Sequence, residues 1–207
     1  RFMQSLFDGL LASSASIVQL KLVFNGLTAA HAGPLARLLR SCAALEDLDL
    51  YWNSISDCGA RELADALFRD EQPSRLRVLN ISDNEMTAAG ARSIAAAISR
   101  VSAELPLEDL DLGYNDFGDD GVRSIATALR RLPRLRVLGL RWTGLGDAGA
   151  AALFSPDTLG QCRRIEEIYL DENELEGFDP TPLVALIGTL PKLTVYLGGN
   201  PLRLDVE

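Results

Sequence analysis

From Leu45 to Asn53 the apolar positions fall first, fourth and sixth, and an asparagine stands ninth: Leu45, Leu48, Leu50, Asn53. Alternation through Leu48 and Leu50 predicts a short strand with one buried face. A turn containing Asp57 and Gly59 follows, and then Leu63, Ala66 and Leu67 at helical spacing predict a helix. A strand, turn and helix in so few residues cannot bury their own apolar faces, so the pattern demands neighbours of the same kind.

Those neighbours are present. The unit restarts at Ile17, Leu45, Leu76, Leu107, Leu135, Ile165 and Leu193, in steps of 28, 31, 31, 28, 30 and 28 residues. Its asparagine slot holds Asn25, Asn53, Asn84, Asn115, Thr143 and Asn173, and Asn200 arrives one residue early after a shortened strand. This divides the chain into a helical half-repeat or N-terminal cap (1–16), six repeats (17–44, 45–75, 76–106, 107–134, 135–164 and 165–192), and a terminal strand with a C-terminal tail (193–207). Phe7, Leu10 and Leu11 precede Ile17 by the intervals at which Leu35, Leu38 and Leu39 precede Leu45, so the first segment reads as the helix of a preceding repeat. An internal-type helix leaves an apolar edge open unless something covers it, which favours further repeats upstream over a cap.

The repeating L-x-x-L-x-L-x-x-N is the pattern of a leucine-rich repeat protein. Its long units, with a full helix after the turn as in Asn115–Ala126, resemble the ribonuclease-inhibitor-like subclass, found in ribonuclease inhibitor, the NOD-like receptors and the Ran GTPase-activating protein. The resemblance spans residues 17–192. It implies an α/β fold: a right-handed solenoid, or horseshoe, with a parallel β-sheet on the concave face and α-helices on the convex face. It fixes the frame far more closely than the use, since sites are grafted onto a shared fold.

Individual residues refine the frame. Ser56/Asp57, Thr87 and Asp119 are placed to cap the helices that follow them. Gly59, Gly90, Gly121 and Gly149 share a slot that suggests close packing of the helix start on the strand layer, or a special backbone angle. In repeat one that slot holds His31, the only histidine, with no second histidine to share a metal. Pro156 should end the helix of repeat five, and Asp179-Pro180-Thr181-Pro182 should start that of repeat six late. The asparagines are read as structural, satisfying backbone groups at buried turns.

Function then falls to the variable positions. Alternation sends the third, fifth and seventh residues of each unit to the concave face, which gathers Asp47, Asp49, Tyr51, Asp109, Asp111, Arg141, Glu167, Tyr169 and Asp171. Carboxylates facing one another on stacked strands would repel. The slot just before the asparagine holds Phe24, Trp52, Asp83, Tyr114, Trp142 and Glu172, including both tryptophans of the chain. These aromatics either pack on one another or form an exposed stripe, and Trp, Tyr and Arg dominate interface hot spots. The candidate partner-binding residues are therefore Asp47, Asp49, Tyr51, Trp52, Asp83, Asp109, Asp111, Tyr114, Arg141, Trp142, Glu167, Tyr169 and Asp171.

Composition narrows the partner. A net charge of −9 argues against nucleic acid and anionic membrane surfaces, and no apolar run reaches membrane-spanning length. Three scattered cysteines without C-x-x-C spacing read as reduced thiols in a cytoplasmic protein. Asn80-Ile81-Ser82 matches a glycosylation sequon but falls within a predicted strand. There is no phosphate loop, nucleophile elbow or metal-ligand cluster, so no catalytic residue, cofactor or metal is assigned. The expectation is a non-catalytic interaction module or scaffold, within a larger assembly, that binds a protein of basic or mixed surface through an acidic, aromatic-lined concave face. The alternative is a GTPase-activating protein similar to the Ran regulator. That protein carries a strongly acidic region after its repeats, and this chain ends in Leu204-Asp205-Val206-Glu207 without one.

Overall fold

A computed structural model describes residues 2–70 and 74–203. The tail Leu204–Glu207, which bears on the alternative reading, lies outside the described residues. Strands β1 (Gln19–Lys21), β2 (Asp47–Asp49), β3 (Val78–Asn80), β4 (Asp109–Asp111), β5 (Val137–Gly139), β6 (Glu167–Tyr169) and β7 (Thr194–Tyr196) form one open parallel sheet in chain order. Helices α1 (Phe2–Leu10), α2 (Ala29–Ser41), α3 (Ser56–Leu67), α4 (Ala88–Arg100), α5 (Gly118–Leu129), α6 (Asp147–Leu153) and α7 (Thr181–Thr189) alternate with them. The result is an α/β solenoid with the sheet on the concave face.

The register follows from the leucines. Leu20, Leu48, Leu79, Leu110, Leu138, Ile168 and Val195 are successive partners across the sheet, so one apolar row points inward at every step. Leu35, Leu63, Ile94, Ile125 and Leu153 close the core from the helix side and are buried. α6 stops at Leu153 ahead of Ser155-Pro156, and α7 starts at Thr181 with the Asp179 carboxylate accepting from its N–H. The α1 segment packs on α2 as one repeat's helix does on the next.

The asparagine slot forms a continuous ladder. Asn115 Oδ1 accepts from the N–H groups of Asn84 and Met86 in the preceding repeat, while its Nδ2 donates to the carbonyls of Ile81, Leu112 and Gly113. Asn53 and Asn173 repeat the arrangement. Thr143 contributes its one hydroxyl, donating towards Leu140 O and Asn173 Oδ1. Asn25, at the first rung, is exposed.

Three local expectations change. Asp57 and Asp119 do not cap their own helices. Asp57 takes hydrogen bonds from Thr87 N, Thr87 Oγ1 and Gly90 N one repeat later, and Asp119 Oδ1 takes them from Gly146 N and Gly149 N. A side chain in the first turn points sideways along the stack, where the next helix offers free N–H groups. Thr87 does cap its own helix, accepting from Ala89 N.

The shared glycine slot meets the preceding helix rather than the strand layer, and its φ angles are not left-handed. A Cβ on Gly121 would lie 2.7 Å from Phe117 Cβ in its own turn, and 3.2 Å from both Ala88 Cα and Ala91 Cβ of the preceding helix. His31, which replaces this glycine in repeat one, completes a capping box: its Nδ1 accepts from Thr28 N at 3.0 Å.

Candidate partner-binding surface

Each strand is only three residues long; the central residue is buried in β1 to β6 and half-buried in β7, and the flanking pair faces out, with Gly139 of β5 alone among them buried. The third and fifth residues of each unit therefore lie on the open face, as alternation requires. The seventh lies past the strand, where the chain turns, and Ser82 and Gly113 at that position are buried. The turn is made by the fifth residue. Asp49, Asn80 and Asp111 each accept from the backbone N–H two residues on, at 3.0 Å. Part of what the acidic pattern suggested as binding chemistry in Asp49 and Asp111 is thus strand termination.

Directly facing carboxylates do not occur. The register pairs Asp47 with Val78, Val78 with Asp109, Asp109 with Val137 and Val137 with Glu167. Acidic strands alternate with neutral ones, which doubles the separation between charges to roughly 9.6 Å, two inter-strand spacings. Most of the acids are also matched locally. Lys21 approaches Asp47 at 3.3 Å, Arg141 Nε donates to Asp171 at 2.8 Å, and Tyr169 Oη donates to Glu167.

Asp109 differs, since no hydrogen bond to its carboxylate exists among the described residues. Burial first, and then the charges of Asp111, Glu167 and Asp47, push its pKa up to about 6. Burial also raises Asp111, against the Gly113 N–H and the Arg141 charge that pull it down.

Across β4 to β6 these residues enclose a groove. Asp109, Asp111, Tyr114, Arg141, Glu167 and Tyr169 line it, with Val137 and Gly139 at its floor. Gly139 makes the groove possible, because a Cβ there would stand 2.4 Å from Asp111 Oδ1. Arg141 lies over the Tyr169 ring at 4.0 Å, and Tyr169 stacks on Tyr196 at 4.4 Å between centroids. A cation–π contact and an ion pair fix one guanidinium, which gives the groove a rigid positive edge beside its acids. Sequence reasoning missed Gly139 as a determinant; the absence of a side chain at an outward position was the available signal.

The slot before each asparagine has a common backbone. Phe24, Trp52, Asp83, Tyr114, Trp142 and Glu172 all have φ between 51° and 56°, in the left-handed region. Gly199 fills the seventh slot at φ 70°. This conformation throws the side chain off the end of the strand into solvent. Phe24, Trp52, Tyr114 and Trp142 are 68%, 52%, 48% and 58% exposed. They do not form one packed stripe. Phe24 and Trp52 touch, with centroids 4.6 Å apart, and Tyr51 stands 6.1 Å from Trp52. Trp142 and Tyr114 have no aromatic partner among the described residues.

The candidate residues therefore sort into two places. Asp109, Asp111, Tyr114, Arg141, Glu167 and Tyr169 share the groove, with Trp142 and Asp171 on its C-terminal rim. Asp47, Asp49, Tyr51 and Trp52 lie around β2, and the half-buried Asp83 stands between the two groups. Among the described residues no three His, Cys, Asp or Glu side chains are placed to hold a metal ion, and no helix is long and apolar enough to cross a membrane.

The Leucine Rich repeat family model matches residues 41–64, 74–95, 106–126 and 133–154. No curated protein matches the chain. Among solved structures it is similar to leiomodin-1 actin-binding site 2, at 14% identity and a TM-score of 0.60, covering 79% of this chain and 89% of that one. It is also similar to human 5T4 (Wnt-activated inhibitory factor 1, trophoblast glycoprotein), at 22% identity and a TM-score of 0.57, covering 80% of this chain and 55% of that one. At those identities the likeness carries the fold alone. With its matched repeats, its in-register sheet and its asparagine ladder, this chain is an α/β solenoid built of leucine-rich repeats.

Proposed function

We propose that this chain is a non-catalytic interaction module that binds a protein partner through the groove over β4–β6 and the aromatic residues along its rim. Leucine-rich repeat domains generally mediate protein–protein interaction, and the leiomodin-1 fragment is named for actin binding. Neither fact names a partner for this chain.

One observation carries the reading. Four bulky aromatics occupy a left-handed backbone position that glycine fills without strain, as Gly199 does. A non-glycine residue there costs about 1 kcal/mol. Trp142 and Tyr114 contact no other aromatic among the described residues and are about half exposed, so their rings contribute little to packing. A partner that buried them would recover large apolar areas with little entropy loss. The acids beside them suit a partner with a basic or mixed surface, steered by charge.

The test is quantitative affinity capture with wild type and a Trp52→Ala/Trp142→Ala variant whose circular dichroism is unchanged. Bound partners should lose at least about tenfold in affinity, and their association should slow as salt rises. Retention of every partner by the variant would assign the rim a purely structural role. A GTP hydrolysis assay with small GTPases addresses the activator reading.

A further inference from the structure

The opposite edge of the sheet, where the strands begin, carries a different chemistry. Glu46, Arg77, Glu108, Arg136 and Glu166 occupy the second position of successive repeats and form an alternating ladder. Arg77 grips Glu108 through Nε at 3.1 Å and Nη2 at 3.0 Å, and Arg136 holds Glu166 at 2.6 Å. Beside the C-terminal end of this ladder is a recess lined by Glu108, Arg134, Arg136, Arg163, Arg164 and Glu166, with Lys192 at one end and Ile165, Leu190 and Pro191 as its apolar wall.

The two carboxylates of the recess are already matched by Arg77 and Arg136. Arg134, Arg163, Arg164 and Lys192 are exposed and make no ion pair among the described residues. The chain has 29 carboxylates and 20 lysines and arginines, so partners for cations are plentiful, and Arg100 and Arg123 on the helices have found them. Here four cations stand together without a salt bridge among the described residues, and Arg134 and Lys192 act on Glu108 and Glu166 only through space. Arg134, Arg164 and Lys192 share one slot, immediately before the first apolar residue of three consecutive repeats, which sets them out as a row across the edge.

We propose that this recess is a second docking site, for an acidic polypeptide segment that sets successive carboxylates against Arg134, Arg163, Arg164 and Lys192. Charge complementarity selects the partner, and two arrangements favour a peptide over other anions. The cations are spread along three repeats and do not converge on one point, as a single phosphate group would need. The apolar wall of Ile165, Leu190 and Pro191 offers a place for an aliphatic side chain lying between acids. A nucleic-acid strand or an anionic bilayer extends well beyond the recess and would meet the rest of a molecule of net charge −9, whereas a short acidic segment lies within the recess. The site is separate from the aromatic rim, which lies at the other end of the strands.

Fluorescence anisotropy with a labelled glutamate-rich peptide containing one central leucine tests this. Binding at low salt should weaken severalfold at about 0.15 M salt, where charges are screened beyond roughly 8 Å. Arg164→Gln/Lys192→Gln should lower affinity about tenfold, whereas Arg37→Gln/Arg40→Gln on α2 and Trp52→Ala/Trp142→Ala should leave it unchanged. All the substituted side chains are exposed, so the variants should keep wild-type circular dichroism. The proposal is overturned if the peptide does not bind or if both arginine-containing variants lose affinity equally. It is likewise overturned if inorganic phosphate at millimolar concentration displaces the peptide, or if a single-stranded oligonucleotide or phosphatidylserine vesicles bind the recess more tightly.

Discussion

Asp119 Oδ1 accepts a 2.8 Å hydrogen bond from the backbone N–H of Gly149, one repeat further along the stack. The same oxygen accepts from Gly146 N at 2.8 Å, so a single carboxylate caps the start of α6 from the outside. Asp57 does the same for α4, and Asp147 Oδ1 accepts from Glu176 N and Gly177 N. Each of these acids ties one repeat to the next, and in a solenoid such neighbour contacts are the main source of cooperativity.

Asp119→Ala should therefore lower stability by about 1–2 kcal/mol, the usual cost of a lost cap. Gly149→Ala should cost about 2 kcal/mol, because its Cβ would meet Leu145 Cδ1 at 2.4 Å and Asp119 Cα at 3.1 Å in a packed region. Hydrogen exchange should localise both losses to the junction of α5 and α6. Uniform loosening along the whole array would contradict the nearest-neighbour account.

Asn115→Ala should be the more severe change, at about 3 kcal/mol, since it strands several buried backbone groups without partners. Asn25→Ala, at the exposed first rung, should cost less than about 0.5 kcal/mol. Thermal melts of the two variants give the comparison directly.

Asp109 makes stability depend on pH in an identifiable direction. Its pKa near 6 in the folded chain exceeds that of an unfolded aspartate, so the folded state binds the proton more tightly between about pH 4 and pH 6. Ionising it on folding is unfavourable above that window, and the penalty disappears below it. Asp109→Asn should stabilise the protein by about 1 kcal/mol at pH 7.5, after allowance for its partial exposure. The gain should vanish by about pH 4. Asp57 works in the opposite sense: burial raises its pKa, but hydrogen bonds from Thr87 and Gly90 and the charge of Arg92 outweigh that and lower it. Its contribution is present above the unfolded aspartate value and is lost as acid protonates it.

Trp142→Asn separates frame from surface. Asparagine tolerates φ near 51° better than tryptophan, so the melting temperature should hold or rise slightly. Partner affinity should still fall about tenfold. A variant that melted early with its binding intact would reverse the assignment of this residue.

The periodic leucines and asparagines let the chain's own sequence determine the strand register, the helix positions, the early end of α6 and the late start of α7. Each of these depends on a few neighbouring residues and a repeat length. The outward alternation of Asp47, Asp109 and Glu167 could be read the same way. The capping box of Thr28 and His31 is equally local. The first-turn acids could not be read so, because their partners stand about thirty residues away, on the adjacent coil.

Only the tertiary structure decided which acids are matched: Lys21 reaches Asp47 and Arg141 reaches Asp171, while the Asp109 carboxylate takes no hydrogen bond among the described residues. It also separated the candidate residues into a groove over β4–β6 and a cluster at β2, through the bare floor at Gly139 and the stacking of Arg141, Tyr169 and Tyr196. At the other edge it brought Arg134, Arg163, Arg164 and Lys192 together around an apolar wall. Local periodicity fixes which residues face out; stacking the coils fixes which of them meet.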